Sequence, residues 1–227
     1  MFRLTADWNP RNARLREIIK KADCFEESIS LTLQLHAIVH SSSVSDAPAA
    51  TYADQIFNGI PEDKYVIMPT VKDVTLAWNI WHIARIEDIV ANMLIAEQEQ
   101  IFDEDWKEKM NVSVTDTGNA MSDAEIIELS KNLDLQSLFE YRNQVGSQTR
   151  MIIRGLTVRD MKRKVKKEQI EKIYQTGGVT SQDESVWLLD FWGRKNVAGL
   201  LLMPITRHQI VHLNDCAKLK EKLLKTG

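Results

Sequence analysis

Apolar residues recur at steps of three and four along four long stretches of the chain, the period of helices with one buried face. The first stretch, about Asn12 to His40, carries Ile18, Ala22, Phe25, Ile29, His36 and His40 on one stripe, and the run Ser41 to Ser45 ends it. The second, about Val71 to Glu99, carries Val71, Thr75, Trp78, His82, Ile86, Ile89 and Met93. Pro69 blocks its continuation upstream, and Thr70 with Asp73 three residues on has the form of a capping box. The third, about Leu135 to Arg154, is marked by Leu138, Tyr141, Val145, Thr149 and Ile152. The last runs from about Lys195 to Leu224, with a kink expected at Pro204. Its stripe is Leu201, Ile205, His208, His212, Asp215 and Leu219.

The connections between these stretches are long. Asp46 to Pro69 reads as loop with a short helix near Tyr52 to Phe57. An irregular segment carries Trp106, Asn111 and Gly118, after which Ser122 and Glu125 open a short helix to about Asn132. Thr157 to Trp192 is an excursion with a basic helix, a turn at Gly177-Gly178 and the aromatic piece VWLLDFWG. No segment alternates as a strand would, so the expectation is an all-α four-helix bundle whose connections carry short extra helices. A second apolar line on the first helix, Leu31, Leu35 and Ile38, suggests another covered surface, either a homodimer contact or the Thr157 to Trp192 excursion folding back.

With 227 residues and 44% apolar content, a single domain over residues 1–227 with a real core is expected. The net charge of −3 gives no polyanion-binding character. The run Lys162 to Lys167 lacks interleaved aromatics and reads as a solvated helix face. No apolar run reaches signal or membrane-span length, so a soluble cytoplasmic protein is expected. Cys24 and Cys216 do not suggest a disulfide framework, and Cys216 reads as a small buried apolar residue. Trp78, Trp81, Trp187, Phe191 and Trp192 read as core or as walls of a cavity. Glycine-rich phosphate loops and nucleophile elbows are not found.

The candidate chemistry lies in the histidines. His208 and His212, four apart, point out of one helix face toward one ion. One such pair is weak evidence, since two satisfied core histidines would look the same. His82, in the middle of the second stripe, supplies a third imidazole, and three neutral imidazoles plus water are an open coordination set for a divalent metal. His36 and His40 repeat the spacing and are an alternative metal pair, a source of outer contacts, or a proton shuttle. Asp215 reads either as an acceptor orienting an imidazole or as a salt-bridge partner of Arg85 or Arg207. Glu87 and Asp88, more than about 100° off the His82 stripe at about 100° per residue, read as surface or interhelix ion-pair residues.

The segments AWNIWHIARIED and RHQIVH resemble, in order and spacing, the two histidine stations of the DinB/YfiT-like superfamily of helical-bundle metalloproteins. The resemblance implies a bundle holding a divalent metal through His82, His208 and His212; imidazole donors suit zinc or nickel, and charge and hydropathy lead to no nucleic acid or membrane partner. The resemblance also implies thiol-dependent S-transfer to a small electrophile, and a homodimer. The chain departs from the family's usual continuation after the second histidine of the pair, reading Leu213-Asn214-Asp215-Cys216. Hydrolysis at the same metal, and a non-catalytic stress-linked or dimerising bundle, are the competing readings.

Overall fold

In the computed structural model, which describes residues 2–225, the described residues are mostly helical. Twelve α-helices follow one another among the described residues: α1 Asn9–Ile18, α2 Phe25–Val39, α3 Ser42–Ser45, α4 Tyr52–Phe57, α5 Leu76–Asp88, α6 Glu104–Lys109, α7 Asp123–Asn132, α8 Leu135–Gly155, α9 Lys167–Gln175, α10 Asp183–Gly193, α11 Val197–Leu202 and α12 His208–Lys225. The only extended pairing among them is an isolated bridge between Lys164 and Asn196. Four long helical units make the bundle: α2, α5, α8, and α11 running into α12. Helix α5 packs on α8 and α12, and α2 packs on α8.

Helix α5 is the centre of this arrangement. From Thr75 to Ile95 every residue except Trp78 is buried, so the helix is wrapped on all sides rather than on one stripe. It starts later than the pattern predicts. Thr70 and Asp73 do bond to each other (2.7 Å), but they close a turn, and the N-cap is Thr75, whose side chain accepts from Trp78 N. Val71 is therefore outside the core, at 84% exposure. Beyond Asp88 the helix widens into a π-helix, Ile89–Ala96, and stops at Glu97 in the left-handed region (φ 58°).

The first predicted helix is two helices. Polar Lys20, Lys21 and Asp23 interrupt the apolar stripe, and α1 folds back against α2 as a hairpin. Arg14 to Glu27 (2.8 Å) and Arg11 to Gln34 (3.3 Å) cross-link it in antiparallel register. Leu35 is fully buried, and Leu31 and Ile38 pack against the core. The expected bend at Pro204 takes the form of a π-helix, Met203–Arg207. Proline has no N–H to give, and the Thr206 hydroxyl bonds the Leu201 (2.8 Å) and Leu202 (3.1 Å) carbonyls in the distorted turn. His208 begins the regular helix that follows. Among the described residues, no helix is long and apolar enough to cross a membrane.

Candidate metal centre

His82 on α5 and His208 and His212 on α12 are brought together, as their spacing predicts. The three rings lie with centroids 4.5 to 5.0 Å apart and planes tilted 55° to 56° from one another, so they converge on one point instead of stacking. His82 is 3% exposed, while His208 and His212 are partly exposed. Trp78, one turn before His82, stacks on it at 4.8 Å and 6°.

Their hydrogen bonds fix which nitrogens face the centre. His82 Nδ1 lies 2.8 Å from the Thr117 carbonyl, which can only accept, so Nδ1 carries the proton and Nε2 is a bare lone pair. His212 Nδ1 lies 2.9 Å from Asn79 Oδ1, and Asn79 Nδ2 donates to the Thr75 carbonyl (3.2 Å). Oδ1 is thus the acceptor, and His212 Nε2 is bare as well. His208 Nε2 is 3.1 Å from His82 Nε2, and its Nδ1 is buried without a partner. Burial holds all three imidazoles neutral. His82 is pushed down to about 3 by desolvation and by His212, His212 to about 4 by desolvation, and His208 well below its usual value by desolvation and the neighbouring histidines. Neutral nitrogens turned inward with bare lone pairs fit a divalent ion.

The segment after α6 does more than the sequence suggests. Its consecutive carbonyls Thr115, Asp116, Thr117 and Gly118 accept, respectively, from Arg85, Trp81, His82 and Trp78 of α5. Gly118 has φ +76°, and a Cβ there would sit 2.7 Å from Trp78 Nε1, so only glycine allows the loop this close. Nothing in the local pattern announces such a cradle, because backbone carbonyls leave no mark on sequence. An open groove beside this segment, lined by Glu104, Asp116, Met121, Glu125 and Glu128, contains none of the three histidines.

Other expected residues fall elsewhere. Asp215 pairs with Lys218 (2.9 Å) rather than with His212, Arg85 or Arg207. Cys216 is fully buried, its thiol pushed up to about 12, as a small core residue would be. Trp192 is core, while Trp187 is 49% exposed on α10. Glu87 and Asp88 are not on the surface; both are fully buried interhelix groups. Asp88 accepts from Arg85 Nη1 (3.1 Å), Tyr141 Oη (2.6 Å), Asn92 Nδ2 (2.7 Å) and the Ile101 and Phe102 amides. Glu87 accepts from His36 and His40, which contact none of the three histidines in these bonds.

The fold is a helical bundle whose two central helices carry three convergent imidazoles that could hold a metal ion. The sequence profile of the DinB superfamily matches residues 49–215, and the chain belongs to that superfamily. The match takes in His82, His208 and His212 and leaves α1 and α2 outside it. No curated protein matches the chain.

Proposed function

We propose that this protein is a metal-dependent enzyme in which His82, His208 and His212 hold one divalent ion, zinc or nickel, and promote S-transfer from a low-molecular-weight thiol to a small electrophile. The observation that carries the reading is the convergence of three imidazoles, two of them with their bare Nε2 fixed by bonds at Nδ1. Imidazole donors suit both ions. When bound, such an ion supplies a Lewis-acid position that lowers the pKa of a thiol or of water. The chain supplies the rest. Thr117 and Asn79 keep the ligand tautomers, Trp78 holds the His82 ring flat, and the partly exposed faces of His208 and His212 leave the centre open to a small molecule. In the transfer, the thiol loses its proton and its sulfur bonds to the electrophilic carbon as the bond from that carbon to the leaving group breaks, and the leaving group departs with the electron pair and takes up a proton.

Two measurements test this. Elemental analysis of the His82→Ala, His208→Ala and His212→Ala proteins is expected to show that each has lost one ion relative to wild type; wild-type content in all three would reject the ligand set. With metal loaded, a panel of bacillithiol, mycothiol, glutathione and cysteine against a chromogenic electrophile is expected to show metal-dependent conjugation. Turnover of esters or amides alone would point to hydrolysis, and no turnover of any substrate to a non-catalytic bundle.

A further inference from the structure

A second group of donors, sharing no residue with the three-histidine centre, lies within electrostatic reach of His208 through Glu87. His36 and the helix-ending His40 stand on successive turns of α2, and Glu87 reaches both from α5. His36 Nε2 is 2.8 Å from Glu87 Oε1, and His40 Nε2 is 2.8 Å from Glu87 Oε2. All three side chains are completely buried, and one ligand atom from each lies within 4.8 Å of the others. The two rings stack at 4.3 Å and 21°, turning the same edge toward the carboxylate.

Hydrogen bonding alone accounts poorly for this cluster. A buried carboxylate is costly unless a cation compensates it. Arg142, the buried cation in electrostatic reach of Glu87, bonds Gln209 Oε1 (3.1 Å) and the Val39 carbonyl (2.7 Å) instead. Both imidazoles also keep a buried Nδ1 without a partner, bare while Nε2 donates to Glu87, so ligation at Nε2 moves the ring proton to Nδ1. Helix α8 closes on His40 so tightly that a Cβ at Gly146 would lie 2.5 Å from its Nδ1.

We propose that His36, His40 and Glu87 form a second, closed site for a divalent transition cation of the zinc class, bound by two imidazole nitrogens and one carboxylate. That donor set is the one such ions take in proteins. With no ligand exposed, the site is structural: it ties α2, outside the family-matched residues, to α5 inside them. The charge of Arg142 opposes a cation, so this site is the weaker of the two and fills second. The inference stands independently of the three-histidine reading.

The test uses the full-length protein, stripped with a chelator, dialysed against zinc and measured by elemental analysis, with far-UV circular dichroism to check folding. Wild type is expected to hold about two ions per chain, and the His82→Ala/His208→Ala protein about one. Glu87→Gln, which keeps the size and an acceptor but loses the charge, is also expected to hold about one. Cobalt(II) substituted into the double variant should give the visible bands of a closed site and raise its Tm. A folded double variant with no zinc, or Glu87→Gln with the wild-type content, would overturn the proposal. If Glu87→Gln does not fold, the double variant decides alone. Metal absent from Glu87→Gln but fully kept by the double variant would instead reject the three-histidine centre and leave this site standing.

Discussion

Asn79 decides which nitrogen His212 turns inward. It is 1% exposed, anchored at Nδ2 by the Thr75 carbonyl and accepting His212 Nδ1–H at Oδ1. Asn79→Leu keeps the volume and removes the acceptor, so His212 loses the bond that fixes its tautomer. Outer partners of this kind are worth about 10–100-fold in metal affinity. Competition against a chromogenic chelator is expected to show zinc binding at the three-histidine centre weakened by about that factor, with helicity unchanged; wild-type affinity would mean that the Asn79 contact does not orient the ligand. His82 needs no such side chain, because its partner is the Thr117 backbone. His208 has no partner at Nδ1, which makes it the least fixed of the three imidazoles.

A helix buried on every side has to satisfy its charged residues within the protein, and α5 does so for Arg85 and Asp88 through α8 and the segments before α6 and α7. Arg85 sits over the Phe102 ring at 4.3 Å and bonds Asp88, Tyr141, Gln100 and the Thr115 carbonyl. Asp88 returns the charge and caps the Ile101 and Phe102 amides, so one carboxylate fixes the chain reversal after the π-helix. Asp88→Ala leaves Arg85 as an uncompensated buried cation and strips two amides of their acceptor. Breaking a buried pair in this way costs about 3–5 kcal/mol. Urea unfolding should show a loss of that size, against a change within about 0.5 kcal/mol for the exposed control Glu104→Ala. A small effect at Asp88 would mean that the lattice relaxes onto water.

For the whole molecule, burying neutral histidines makes stability depend on pH. Unfolded, each titrates near 6.5; folded, burial holds His40 and His82 down to about 3 and His212 to about 4. Above 6.5 both states are neutral and stability has its full value. As pH falls from 6.5 toward about 4, the unfolded chain takes up protons that the folded chain refuses, so stability drops. The slope is on the order of 1 kcal/mol per histidine per pH unit. Metal-free protein unfolded with urea at pH 7.5, 6 and 5 is expected to follow that fall, and a flat profile would contradict the buried neutral imidazoles. Saturating zinc should raise stability throughout by mass action.

The sequence by itself determined the helical stretches, several of their ends and the placing of His82, His208 and His212 on inner faces, because helical period, capping residues and i, i+4 spacing act through neighbouring residues. Ser122 with Glu125 and the span Tyr52–Phe57 were legible on that ground, as was the distortion at Pro204. What only the tertiary structure decided involves partners far apart in the chain. The hairpin of α1 on α2 depends on which apolar faces meet. The burial of Glu87 and Asp88 depends on α5 being enclosed all round, whereas one stripe's arithmetic places acidic residues off that stripe at the surface. The carbonyl cradle from Thr115 to Gly118 and the pairing of His36 and His40 with Glu87 are contacts across 30 residues or more, and no local pattern encodes them.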